Sequence, residues 1–193
     1  HLISRSNIEG FYYKPRIDFE LLEQFHEGLI CMSACLAGRV PKMILKGLDT
    51  GDMSEAEQTI LKYKNLFGDD YYLEIQNHGI VEEQKVANEL VRFSNKFGIK
   101  LVCTNDCHYV DHEDKEAHEY LLCIQTKKTI GDPDRMVYYG DYSVKTEAEM
   151  RQLFPSLPEA FDNTMEIADK CNFEFEFGNY RMPKVHIPKE YGK

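Results

Sequence analysis

Three short apolar runs, at residues 29–32, 71–76 and 100–104, are separated by stretches of ten or more residues whose apolar positions recur at helical spacing. Runs that are apolar without strict alternation suit strands of a parallel sheet covered on both faces. Parallel neighbours need long crossover connections, and those crossovers are right-handed. The chain is therefore expected to be α/β, its three strands parallel and adjacent, in an open wound sheet or a sector of a barrel.

The helical signals fill the gaps. Asp18 is placed to cap a helix to Phe25 that carries Leu21 and Leu22, with Gly28 just beyond. Ser54 and Glu57 have the spacing of a capping box and open a helix with Ile60, Leu61 and Leu66 that stops at Gly68. Val86, Leu90, Phe93 and Phe97 mark a long amphipathic helix ended by Gly98. Asp111 precedes a helix on which Ala117, Leu121 and Ile124 form one stripe, and 127–135 is a polar loop. Residues 142–144 read as a short strand, and Thr146 and Glu149 as a second capping box for a helix ending near Phe154. Pro158 suits the first turn of a last helix to about Cys171, and the tail from Phe173, with Pro183 and Pro188, reads as an extended linker.

A chain of 193 residues, 42% of them hydrophobic, can bury the core of one domain. Nothing approaches the roughly 18 uninterrupted apolar residues of a membrane span, so a soluble cytoplasmic protein with no membrane partner is expected. The six cysteines, Cys31, Cys35, Cys103, Cys107, Cys123 and Cys171, form no CxxC pair, and reduced, partly buried thiols follow. A formal net charge of −10 argues against a surface that wraps nucleic acid. The segment from Phe11 through Tyr12, Tyr13, Lys14 and Pro15 to Arg16 is a local exception. It reads first as a packing loop with solvated cations, and second as a base-stacking, phosphate-neutralising contact.

In parallel α/β folds ligands bind at the carboxyl ends of strands. After the 100–104 run come Asn105, Asp106, Cys107 and His108. In an extended backbone Asp106 and His108 share a side, offering a carboxylate and an imidazole to Zn²⁺ or Mn²⁺. The plainer alternative is a turn-capping aspartate beside an ordinary hydrogen-bonded histidine. Cys35 follows the first strand and would add a thiolate, although alone it reads as a structural cysteine. Glu74 and Gln76 alternate onto one side of the second strand, where they would orient ligands or meet substrate, with His78 just beyond; surface solvation accounts equally well for all three. His118 reads as a packed helix histidine and His112 as an exposed one. No Ser-His-Asp order and no phosphate-cradling glycine loop is present, so metal-assisted hydrolysis is the one reaction class with candidate parts.

Several blocks in order carry a resemblance. They are Glu9-Gly10-Phe11-Tyr12-Tyr13-Lys14-Pro15-Arg16-Ile17-Asp18, Ser33-Ala34-Cys35-Leu36-Ala37-Gly38, Tyr72-Leu73-Glu74-Ile75-Gln76 and Thr104-Asn105-Asp106-x-His108-Tyr109. Downstream, Glu116-Ala117-His118, Leu122-Cys123-Ile124-Gln125-Thr126 and Asn163-Thr164-x-Glu166-Ile167-Ala168 continue it. The chain resembles the alpha subunit of bacterial replicative DNA polymerase III, in the later part of its PHP (polymerase and histidinol phosphatase) domain. The resemblance implies a sector of a distorted (β/α)7 barrel with mostly parallel strands. It divides the chain into a truncated PHP domain at 1–145, a helical extension toward the polymerase domain at 146–172 and a linker at 173–193.

By position, Cys35, Asp106 and His108 match three metal-ligand places of that family, and His1 matches none. The family's early His-x-His lies upstream, which leaves the site in this segment partial or empty and the segment itself inactive. The implied parent is a DNA-directed DNA polymerase whose partners are DNA and other replisome subunits, and whose PHP domain supports 3′–5′ exonucleolytic proofreading. Two other readings are a scaffold that docks a separate exonuclease subunit and a free-standing PHP-family phosphoesterase. An unpaired edge at residues 29–32 would favour self-association.

Overall fold

The central strand owes its place to composition: Tyr71, Tyr72, Leu73 and Ile75 are all buried, so both faces of this run are covered. In the computed structural model, which describes residues 1–180, 182, 183 and 188, the elements are as follows. They are α1 (Leu2–Ile8), α2 (Phe19–Phe25), β1 (Cys31–Met32), α3 (Arg39–Thr50), α4 (Ser54–Phe67), β2 (Tyr71–Ile75), α5 (Val81–Phe97), β3 (Leu101–Cys103), α6 (Lys115–Thr126), α7 (Glu147–Leu153) and α8 (Pro158–Lys170). Single 3-10 turns occupy Gly68–Asp70 and His112–Asp114. Residues 173–180 of the expected linker are exposed and carry no helix or strand, and most of the remainder lies outside the described residues.

The sheet order is β1-β2-β3, all parallel, with Cys31 opposite Tyr71 and Ile75 opposite Cys103. The expected adjacency of three parallel strands is therefore present. The described sheet is a small three-stranded one. Along β2, Tyr71, Leu73 and Ile75 alternate into the main core with Ile44, Ile60, Leu90 and Phe93. Side chains of this size, buried completely, each stabilise the fold by roughly 1.5–3 kcal/mol. On the opposite face the fully buried Tyr72 sends its hydroxyl to Glu166 (2.6 Å) and accepts from Lys170 (2.8 Å), which ties α8 to the sheet.

Several local expectations hold. Asp18 accepts from the Leu21 N–H at 2.8 Å, and the Thr146–Glu149 capping box is complete. Gly98 ends α5 in the left-handed region, and Pro158 stands in the first turn of α8. All six cysteines are free.

Four expectations are corrected. Ser54 is the first helical residue and not a cap; Asp52 accepts from the Ser54 N–H (2.9 Å) and takes over the role. The Ala117, Leu121 and Ile124 stripe lies on the surface, because α6 is rotated to bury Leu122 and Cys123 instead. Residues 142–144 make no strand, only a single parallel bridge between Ser143 and Tyr109. The segment at 11–16 is not a packing loop: Phe11, Tyr12 and Tyr13 are exposed, since a tight Tyr12 to Lys14 turn lifts them off the body.

Two helices, α1 and α3, have no counterpart in the sequence reading. α3 holds Pro41 and Gly47, both poor helix interior residues, yet Pro41 falls in the first turn, where its missing N–H costs nothing. Gly47 is needed by packing, for a Cβ there would meet Met53 Sδ at 2.6 Å and Asp52 O at 2.9 Å.

Candidate metal centre

Beyond β3 the backbone leaves the strand and is pinned on both sides, with a tight turn at Asp106 in which the Cys107 N–H donates to Asn105 O (3.0 Å). The Thr104 N–H donates to Ile75 O (3.1 Å), the Asn105 side chain to Ser143 O (2.8 Å) and the His108 N–H to Tyr142 O (2.9 Å). The structure brings Asp106 and His108 together, with Asp106 Oδ2 3.3 Å from His108 Nε2, although through this turn and not through the extended backbone expected. Two donors bound at about 2.0–2.1 Å to one tetrahedral ion lie about 3.3 Å apart, so the pair has the spacing of two ligands on one Zn²⁺. Both are accessible, with side chains 48% and 26% exposed.

The second strand end belongs to Cys35. The Ser33 N–H continues the β1–β2 pairing to Tyr72 O (3.1 Å), and Ala34 then takes φ +67°, an uncommon conformation for a residue with a side chain. Glu74 stabilises it: one carboxylate oxygen accepts from the Ala34 N–H (3.0 Å), while the other accepts from Thr104 Oγ1 (2.6 Å). Gln76 donates to the same Thr104 hydroxyl (3.1 Å). Glu74 thus bridges the turn before Cys35 and the strand end before Asp106, and surface solvation does not describe it. Ala34, Cys35, Glu74, Gln76 and Glu83 line one small pocket between the ends of β1 and β2 and the helix α5.

The third wall is aromatic, and sequence reasoning missed it. His108 has Tyr138 at 4.6 Å between ring centroids and Tyr142 and His118 each at 5.3 Å. Tyr142 is buried, and burial pushes its phenol up to about 12, helped by the negative charges of Glu83, Asp106, Tyr138 and Cys35. His118 packs as expected and is held below the usual histidine range by burial and then by His108. His112 is exposed and meets Asp141 at 3.4 Å. His78 is buried, its side chain 1% exposed. Nothing periodic marks Tyr138 or Tyr142, which sit in an irregular loop.

Among the described residues no three His, Cys, Asp or Glu side chains are grouped to hold one ion. Asp106 and His108 fit half of a metal site, and the expected third ligand, Cys35, is not grouped with them. No helix among the described residues is long and apolar enough to cross a membrane.

Residues 1–78 match the PHP domain family model. That match includes Cys35 and stops short of Asp106 and His108. The chain is 46% identical over 192 residues to the DNA polymerase III subunit alpha of Treponema pallidum, which covers 98% of this chain and 16% of the relative. It is 44% identical over 195 residues to that of Thermus aquaticus (97% and 16%) and 40% identical over 205 to that of Campylobacter jejuni (100% and 17%). The chain is similar over nearly its whole length to one stretch of DNA polymerase III alpha subunits, and it spans about a sixth of the length of the curated relatives it matches.

Proposed function

We propose that this chain is the later part of a metal-binding PHP domain in the catalytic alpha subunit of a bacterial replicative DNA polymerase III. Cys35, Asp106 and His108 are its metal ligands for Zn²⁺ or Mn²⁺, and Glu74 and Gln76 hold the strand ends that present them. The observation that carries this reading is the 3.3 Å Asp106–His108 pair at the carboxyl end of a parallel strand, in a chain 46% identical to such a subunit. On this reading the PHP region runs past residue 78 to about 145, and the direct pairing of β3 with β2 in one sheet supports its extension beyond the first 78 residues. Residues 146–172 lead toward the polymerase domain and 173–193 link to it.

A divalent ion bound here supplies an activated water for phosphodiester hydrolysis, the chemistry of 3′–5′ nucleotide removal in the complete domain. The protein's own contribution is positional. Asp106 and His108 offer one carboxylate and one imidazole, Glu74 ties the turn before Cys35 to Thr104, and Tyr138 and Tyr142 pack against the His108 ring. DNA synthesis, DNA and replisome partners, and a cytoplasmic location belong to the whole subunit.

Two or three donors hold one ion weakly and no cluster, so the isolated segment does not trim DNA. Zn²⁺ titration of the purified chain should show one weak site that Asp106→Asn removes, with no shortening of a 3′ end. Equal binding by the variant refutes the ligand assignment; several tightly held ions, or Asp106-dependent trimming, refute the half-site.

A further inference from the structure

The residues around His78 form a clamp that none of the expected ligands touches from within. Glu83 in the first turn of α5 spends both carboxylate oxygens on this one residue, accepting from the His78 N–H (2.7 Å) and facing its Nδ1 (2.8 Å). Both side chains are buried, and His78 Nε2 is itself buried with no partner among the described residues. Unpaired buried nitrogens are rare, so this ring is held where it is by its surroundings at a cost. Its flat face is covered by Tyr142, at 4.1 Å between centroids and 10° between planes.

Tyr142 is fastened in turn to the strand end that carries the metal pair. Its carbonyl accepts the His108 N–H (2.9 Å), its own N–H donates to the Tyr109 hydroxyl (2.9 Å), and its ring meets His108 edge-on at 5.3 Å. An unbroken chain of contacts thus runs from Glu83 through His78 and Tyr142 to His108.

We propose that His78, oriented by Glu83, is a positioning residue of the Asp106–His108 metal pair and acts through Tyr142. This rests on the metal reading above. The ring of His78 sets the position of the Tyr142 ring, and the Tyr142 carbonyl sets the backbone that aims the His108 imidazole. Removing a partner that orients a metal ligand typically weakens the ion by about 10–100-fold.

The test uses the subunit that carries this segment, with Zn²⁺ affinity measured by chelator competition and the His108 imidazole signal followed by NMR in metal-free protein. Expected is a drop of about 10-fold or more in His78→Ala and in Tyr142→Ala, with the His108 signal displaced in both. Tyr142→Phe, which keeps ring and carbonyl, should bind like the parent. The double variant His78→Ala with Tyr142→Ala should be no weaker than either alone, because the two act in series. If either alanine variant fails to fold by circular dichroism, Glu83→Gln, which disturbs only the orienting bond, should still weaken the ion and displace His108.

Unchanged affinity in His78→Ala or Glu83→Gln, while Asp106→Asn loses the ion, overturns this inference and leaves the metal reading standing. Independent, additive losses in the double variant also overturn it. Undiminished binding by Asp106→Asn sinks the metal reading and this inference with it.

Discussion

Gly140 is where the loop carrying Tyr142 crosses closest to the end of β2, and Gly140→Ala tests how rigidly that loop is set. The residue has φ +110°, and a Cβ there would stand 2.2 Å from His78 O, 3.0 Å from His78 Cβ and 3.1 Å from His78 C. The first of these is about 1.2 Å short of the 3.4 Å where ordinary contact begins, and the obstacle is backbone that cannot swing aside. The loop must move outward, giving up the Asp141 N–H bond to His78 O (3.4 Å). A side chain at such a φ costs about 1–3 kcal/mol, and the lost bond about 0.5–1.5 kcal/mol more. A loss of about 2–4 kcal/mol follows, which for a chain of this size lowers the melting temperature by roughly 5–12 °C.

Gly51→Ala is the internal control. Gly51 also has positive φ (+77°), but nothing lies within 4 Å of its added Cβ, so only the strain of about 1–2 kcal/mol applies. Urea unfolding of both variants at equal slope measures the difference directly. Equal losses in the two, or a Gly140→Ala variant as stable as the parent, would refute the claim that the loop is locked against His78.

Thr146→Ala should cost about 1 kcal/mol, because it removes the hydroxyl half of the capping box at α7, and Thr146→Ser should restore it in the same denaturation assay. Tyr72→Phe deletes the hydroxyl shared by Glu166 and Lys170 and should lower the unfolding free energy by about 1–2 kcal/mol, with the sheet face still packed; no loss would mean the network is ornamental. Glu166 is held down to about 2 from 4.5, first by Lys100 and then by Tyr72. Its contribution is therefore complete at neutral pH and is lost as pH falls from 4.5 through about 2. Glu166→Gln should flatten the fall of melting temperature over that window, and an unaltered slope would exclude the effect.

Local features legible in single residues survived into the structure. The step pattern of Val86, Leu90 and Phe93 made α5, Gly98 ended it, and three apolar runs became three parallel neighbours, because short-range periodicity and parallel crossover geometry act without reference to the rest of the chain. The Asp106 and His108 pair was visible in its spacing, but a tight turn at Asp106, not an extended backbone, brings the two side chains together.

Tertiary structure decided what periodicity cannot express. Which stripe of α6 is buried was a matter of rotation, and the side with Leu122 and Cys123 won over Leu121 and Ile124 although both are apolar. α3 formed across Pro41 and Gly47 because a first-turn proline loses no hydrogen bond and because Met53 leaves no room for a larger residue. Glu74 became a bridge between two strand ends, and His78 became a buried ring clasped by Glu83 under Tyr142, through contacts between residues up to 64 positions apart. Such contacts exist only once the sheet has brought its strand ends together, so the candidate residues were visible in the sequence while the framework around them was not.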